Sequence, residues 1–240
     1  MRYYIQWLEQ WINRGLDLIY PRSAGCPICR LPICSCASTI LLNYSRQLTC
    51  RRCGKFLAKP GICSECMGRG TSFPERVWAL APYEGSLRDA LHRFKYQGEK
   101  RIGKFFAELL LAGPGNELGE PDLIIPVPLH PSKLRQRGYN QAQILAEQLA
   151  KGLNIEVKSD VLNRVTLTQP QSGLSRQARL ANLNNAFRLS KPLEVKGKSI
   201  LLVDDIITTG STLEACGIVL RQAGIAGLTG ICLAAGRQAE

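Results

Sequence analysis

The stretch SILLVDDIITTGST, residues 199–212, decides the fold of this chain. Its apolar opening, Ile200 to Val203, reads as a strand buried on both faces. The strand reaches two adjacent carboxylates, Asp204 and Asp205. A short loop of Thr208, Thr209, Gly210, Ser211 and Thr212 then opens a helix that runs from about residue 211 to 223. Free backbone N–H groups at a helix N-terminus attract an anion, and a glycine lets the backbone come close to it. The four hydroxyls add donors, and the two carboxylates stand where sugar hydroxyls and a divalent metal would follow a phosphate. An ordinary N-capped helix would account for Ser211 or Thr212. It would not account for two carboxylates on an apolar strand, which are costly unless something binds them.

Working outward, VWALAPY (77–83), DLIIPVPL (122–129) and GLTGICLAA (227–235) read as further continuous apolar strands. SLRDALHRFKY (86–96), RIGKFFAELLLA (101–112) and NQAQILAEQLAKGL (140–153) read as helices between them, the last with the stripe Ile144, Leu145, Leu149. Strands of this kind alternating with helices predict an α/β fold, a mostly parallel sheet with helices on both faces. Ligands in such sheets bind beyond the strand C-termini. The segment from Pro126 to Asn140 leaves a buried strand there and carries Lys133, Arg135 and Arg137, three cations suited to a pyrophosphate with its metal. Arg93 and Lys95 lie on another helix, facing either the same pocket or solvent. The polar stretch from Thr166 to Ser175 is loop-like, and the segment from Ser175 to Phe187 opens as a helix.

The ten cysteines divide the chain differently. Eight lie between Cys26 and Cys66, in a segment with no long periodic run that needs a staple to fold. Cys50-x-x-Cys53 and Cys63-x-x-Cys66 are two knuckles that together complete a tetrahedral zinc shell. Cys26, Cys29, Cys34 and Cys36 form either a second zinc site or a free, reduced pair beside a single one. Four thiolates leave no open coordination position, so such sites hold structure. Cys216 and Cys232 are small buried residues. The organisation expected is an amphipathic helix over 1–22, a cysteine-rich module over 23–70 and an α/β domain over 71–240.

The helix over 1–22 carries Tyr4, Trp7, Leu8, Trp11, Ile12, Leu16 and Ile19 at helical spacing, with Glu9 and Asp17 interrupting any secretory signal. It docks on the protein's own body, on a partner or on a membrane surface. No run approaches the about 18 apolar residues that span a bilayer. The chain is therefore expected in the cytoplasm, where clustered thiols stay reduced and bind metal. Lys and Arg number 31 against 19 Asp and Glu, a net charge of +12, and residues 1–70 carry ten of the cations against three acids. That excess suits nucleic acid or a phosphorylated substrate, or is offset by metal-bound thiolates. Arg46, Arg51, Arg52, Lys55 and Lys59 flank the Cys50/Cys53/Cys63/Cys66 quartet, as a nucleic-acid surface or as solvated charge. Residues 98–105, GEKRIGKF, have P-loop glycine and lysine spacing without its Ser/Thr or a preceding strand. His92 and His130 are the only histidines, and neither reads as a general base.

The Asp-Asp and Thr-Gly-x-Thr pattern resembles the phosphoribosyl pyrophosphate (PRPP) motif of type I phosphoribosyltransferases. The chain as a whole, over about residues 16–236, resembles the ComF family, which joins a zinc ribbon to such a domain. Tyr83-x-Gly85, residues 91–98, residues 126–141, Gln171, Leu174-Ser175 and Arg179 through Phe187 carry that resemblance; the tight Cys34-x-Cys36 knuckle departs from it. The resemblance implies a type I phosphoribosyltransferase-like sheet preceded by a small zinc-ribbon module. It implies PRPP with magnesium at Asp204, Asp205 and Thr208–Thr212, with Lys133, Arg135 and Arg137 on the pyrophosphate loop. It implies transfer of ribose 5-phosphate with release of pyrophosphate, the acceptor being open. Alternatively, the chain is a non-catalytic, PRPP-responsive module that binds single-stranded DNA or protein. The family also implies a role in DNA uptake, with single-stranded DNA and a ComF-type helicase as partners.

Overall fold

The computed structural model describes residues 25–166 and 185–238. The helix expected over 1–22, and Gln171, Leu174, Ser175 and Arg179, lie outside the described residues. Five strands, β1 (Arg76–Pro82), β2 (Leu123–Pro126), β3 (Glu156–Val157), β6 (Ser199–Ile207) and β7 (Gly227–Ala235), form one parallel sheet in the order β1-β7-β6-β2-β3. A separate antiparallel pair, β4 (Leu162–Arg164) and β5 (Phe187–Leu189), stands beside it. The helices are α1 (Cys36–Tyr44), α2 (Gly85–Tyr96), α3 (Arg101–Ala112), α4 (Pro131–Arg137), α5 (Gln141–Leu153), α6 (Pro192–Val195) and α7 (Ser211–Gln222).

The period-two geometry of a strand divides the sheet's apolar residues between two layers. Leu201 and Val203 of β6 join Trp78 and Leu80 of β1 under α2, α3 and α5, where Phe94, Phe106 and Leu145 are fully buried. Ile200 and Leu202 join Val77 and Ala79 on the other face, under Leu213, Cys216 and Leu220 of α7. Burying each such side chain contributes about 1.5–3 kcal/mol, so covering both faces stabilises the parallel arrangement. The continuous apolar runs read from the sequence are the strands buried in this way.

The two cysteine segments close opposite faces of the sheet. Ile28, inside the first knuckle, belongs to the layer under α2 and α3, whereas Cys50, Cys53, Cys63, Cys66 and Phe73 belong to the layer under α7. Glu117 latches the first segment to the sheet edge. Its carboxylate accepts from Tyr44 Oη of α1 at 2.6 Å, Arg76 Nη2 at 3.0 Å and Trp78 Nε1 at 3.3 Å.

Several elements differ from the sequence reading. β6 runs two residues past the carboxylates, to Ile207. The segment read as a basic loop contains α4, started by Pro131 and closed by Gly138 in the left-handed conformation (φ +79). A helix of seven residues shows no apolar stripe, so periodicity does not detect it. The helix α1 and the short strands β3, β4 and β5 escape for the same reason. Of the helix expected over 175–187, only the end is described, and there Phe187 begins β5.

Candidate functional site

The parallel strands β2 and β6 are neighbours, with Pro126 opposite Val203, so their C-terminal ends open side by side. A cavity of about 250 Å³ lies there, lined by Asp204, Asp205 and Thr212 from β6 and α7 and by Lys133, Arg137 and Asn140 from the segment after β2. Lys95 and Tyr96 of α2 and Arg164 of β4 complete its charged and aromatic wall. The structure thus gathers residues from five separate elements, as expected where chain order reverses in an open α/β sheet.

Each side chain is held by local structure. Asn140 caps α5, its Oδ1 accepting from the Ala142 N–H at 3.1 Å while its Nδ2 donates to the Val127 carbonyl at 2.9 Å. This ties the start of α5 to the end of β2. Tyr139 Oη and Gln141 Nε2 both donate to the Phe94 carbonyl, so the same turn is bound to the end of α2. His130 caps α4, Nδ1 accepting from the Ser132 N–H at 3.2 Å, and so has a structural place. The guanidinium of Arg137 stacks 4.9 Å from the ring centre of Tyr96.

Of the two helical cations that the sequence left open, one faces the cavity and the other does not. Lys95 Nζ lies 2.9 Å from Asp205 Oδ1. Arg93 turns the other way and donates to the carbonyls of Pro27 and Ile28 inside the first cysteine knuckle. Burial would lower the Lys95 ammonium, but Asp205 and then Asp204 outweigh it and hold it above its ordinary range. Lys133 is held below its ordinary range, first by burial and then by Arg164, Arg137 and Lys95. Burial and then the charge of Asp205 push Asp204 up to about 7, against the opposing pull of Lys95. The cavity is therefore an electropositive wall facing two carboxylates, of which Asp204 is held toward its protonated form.

The residues of the 208–212 loop are placed less uniformly. Thr212 lines the cavity, Gly210 and Ser211 are buried, and Thr208 is exposed. Thr209 Oγ1 and Ser211 Oγ are 2.9 Å apart. Arg135 is exposed and is not among the residues lining the cavity. The sequence reading gave no site role to Arg164, Tyr96, Asn140 or Gln141. Tyr96, Asn140 and Gln141 fall in the stretches that carry the family resemblance, and only Arg164 went without any signal.

Each cysteine quartet converges. The sulfur atoms of Cys26, Cys29, Cys34 and Cys36 all lie within 4.8 Å of one another, as do those of Cys50, Cys53, Cys63 and Cys66. The second set is buried and the first is partly exposed. Eight thiols paired in this way fit two tetrahedral soft-ligand sites of a zinc-ribbon module, and each quartet can hold a metal ion. Cys216 and Cys232 are buried, as expected.

Among the described residues, no helix is long and apolar enough to cross a membrane. Residues 131–240 match the phosphoribosyl transferase domain family. Competence protein F of Haemophilus influenzae is 37% identical, over 70% of this chain and 88% of that protein. DNA utilization protein YhgH of Salmonella typhimurium is 33% identical, over 87% of this chain and 95% of that protein. Competence protein ComFC of Bacillus subtilis is 25% identical, over 88% and 83%. A parallel sheet of phosphoribosyltransferase type, two cysteine quartets joined to its faces and relatives matched along most of their length together place the chain in the ComF family.

Proposed function

We propose that the chain binds PRPP in the cavity beyond β2 and β6 and transfers its ribose 5-phosphate to an acceptor, releasing pyrophosphate. The observation that carries this reading is the gathering of Asp204, Asp205, Thr212, Lys133 and Arg137 around one cavity. On this reading the loop from Thr208 to Thr212 takes the 5-phosphate on its backbone N–H groups. Asp204 and Asp205 accept from the ribose hydroxyls. Lys133 and Arg137 take the pyrophosphate, whereas Arg135, exposed and outside the cavity lining, is given no part in holding it.

The bond from the anomeric carbon to pyrophosphate breaks, its electron pair leaving with the pyrophosphate, and a new bond forms to the acceptor, which gives up a proton. Positive charge grows on the sugar as the old bond lengthens, and the adjacent carboxylates stabilise it electrostatically. Lys133 and Arg137 stabilise the negative charge gathering on the leaving group. The hard oxygen donors of Asp204 and Asp205 fit magnesium, which when bound with PRPP neutralises pyrophosphate charge. Zinc suits the all-thiolate quartets, and structural zinc sites of that kind hold a small module folded.

This reading takes residues 23–70 as the metal-held module and 71–240 as the transferase-type domain, in the cytoplasm. It assigns the protein to DNA uptake, in keeping with the names of its relatives, with single-stranded DNA and a ComF-type helicase as partners. A second reading is a PRPP-responsive binding module without turnover. It is favoured by the lining of the cavity, which among the described residues includes no histidine to serve as general base.

The test is PRPP binding together with magnesium-dependent pyrophosphate release, on the wild type and on Asp204→Asn/Asp205→Asn. Binding and release in the wild type, both lost in the double variant, support the transferase. Binding without release across bases, nucleosides and nucleic acids supports the module. A wild type that binds no PRPP overturns both.

A further inference from the structure

Arg69 lies three residues past the last cysteine of the second quartet, yet its side chain is wholly buried against the phosphate loop. Its Nη2 donates to the Thr209 carbonyl. Its guanidinium lies 3.9 Å from the ring centre of Phe73. Gly210, with φ +76, is pressed against both residues. A Cβ there would sit 2.7 Å from Arg69 Nη1 and 2.7 Å from the Phe73 ring. The loop that opens α7 thus rests on a guanidinium supplied by the cysteine module.

The metal-ligand turns fix that guanidinium in place. Glu65, between Cys63 and Cys66, offers its backbone carbonyl to Arg69 Nε at 3.1 Å, and its carboxylate lies 3.8 Å from Nη2. Lys55 holds the same carboxylate at 2.5 Å. Arg52, between Cys50 and Cys53, donates to the Arg69 carbonyl at 2.7 Å. Both knuckles of the quartet therefore contribute a residue that orients Arg69. Farther along α7, the chain leaving the module crosses so closely that a Cβ at Gly217 would meet the Ser72 carbonyl oxygen at 1.8 Å. A buried guanidinium holding a loop carbonyl makes a charge-assisted hydrogen bond, among the stronger hydrogen bonds available in an interior.

We infer that Arg69 is a positioning residue through which the Cys50/Cys53/Cys63/Cys66 centre sets the backbone of the phosphate loop at Thr209–Gly210, making the loop's affinity for a phosphorylated sugar depend on an intact metal centre. The inference rests on the PRPP reading for its ligand, but the mechanical coupling stands without it.

The experiment uses the full chain and the variants Arg69→Ala, Arg69→Lys and Gly210→Ala. Zinc content, PRPP affinity by calorimetry and hydrogen exchange of the Thr208–Thr212 amides without ligand are measured on each. Arg69→Ala is expected to keep its zinc, to speed amide exchange in the loop, and to bind PRPP about tenfold or more weakly, as loss of a charge-assisted hydrogen bond implies. Arg69→Lys restores part of the affinity, and Gly210→Ala weakens it without altering zinc. Removing and restoring zinc in the wild type lowers and recovers loop protection, whereas in Arg69→Ala it changes little. Should Arg69→Ala fail to fold, the zinc cycle on the wild type and the lysine variant decide the matter. Unchanged loop exchange and affinity on zinc removal or in Arg69→Ala overturn the coupling. Altered loop exchange in a protein that binds no PRPP supports the coupling and overturns only the PRPP reading.

Discussion

Lys95 Nζ stands 2.9 Å from Asp205 Oδ1, and the Asp205 N–H in turn donates to Asp204 Oδ1 at 2.8 Å. One helix residue therefore neutralises one carboxylate of the pair and leaves its neighbour to carry the cost of crowding. The side chains of Lys95 and Asp205 are only 19% and 12% exposed, so the pair lies largely out of water's reach. A buried ion pair adds little over an apolar replacement, but removing one partner strands the other charge.

Asp205→Asn is accordingly expected to destabilise the fold by about 3 kcal/mol, and Lys95→Met added to it to recover part of that loss. Chemical denaturation of the two single variants and the double variant gives the coupling directly. Additive losses would show that the pair does not act as a unit.

The raised Asp204 value sets a pH dependence. Its carboxyl titrates at about 7 in the folded chain against an ordinary 3.8. Between those values the folded state holds a proton that the unfolded state has released. Stability therefore falls as pH rises through that window and levels off above it. On the proposed PRPP reading, sugar hydroxyls that donate to Asp204 favour its ionised form, so ligand binding near pH 6 should release a proton. Calorimetry in buffers of different ionisation enthalpy detects that release, and Asp204→Asn abolishes it.

The two cysteine quartets differ in access, because the second is buried and Cys34 of the first is exposed. A chelator should remove metal in two phases, the first quartet emptying faster. Cys34→Ser should eliminate the fast phase and leave the slow one. Cys53→Ser should cost most of the structure of its segment, because the metal substitutes there for a core. A single phase in the wild type would show that only one quartet is loaded.

Arg137 and Arg135 are two residues apart on α4 but unequal in position. Arg137→Ala should weaken pyrophosphate and PRPP binding by about tenfold or more, the cost of losing one charge-assisted contact. Arg135→Ala should change it less than about twofold, as exposed charges contribute little. Competition binding with pyrophosphate measures both, and equal effects would place the leaving group outside the cavity.

Four of the five sheet strands were legible because they are unbroken apolar runs; β3, two residues long, was not. Ile200 to Val203, buried between two layers of helices, needs no polar alternation and shows none. The carboxylates and the loop after them stood out as a candidate site because a charged pair on such an apolar strand is unusual, and the structure places Asp204, Asp205 and Thr212 on one cavity. The rest depends on long-range pairing. Lys95 meets Asp205 across 110 positions of sequence, and Arg69 meets Thr209 across 140. Nothing local at Arg69 distinguishes it from Arg46 or Arg51, because its meaning lies in the carbonyl it reaches. Arg135 and Arg137 look equivalent until α4, too short to leave a periodic trace, turns one inward and one outward.

Arg93 recognises the first knuckle only by main-chain oxygens, those of Pro27 and Ile28. Such a contact inspects the course of the chain and not its spelling. Positions 27 and 28 are both buried, so each is open to the apolar side chains that fit its pocket. The planar fork of Arg93 is not replaceable by lysine. Mutational tolerance here should be lopsided, with a permissive knuckle and an exacting helix. A library covering residues 27, 28 and 93 would show it as variation confined to the acceptor side.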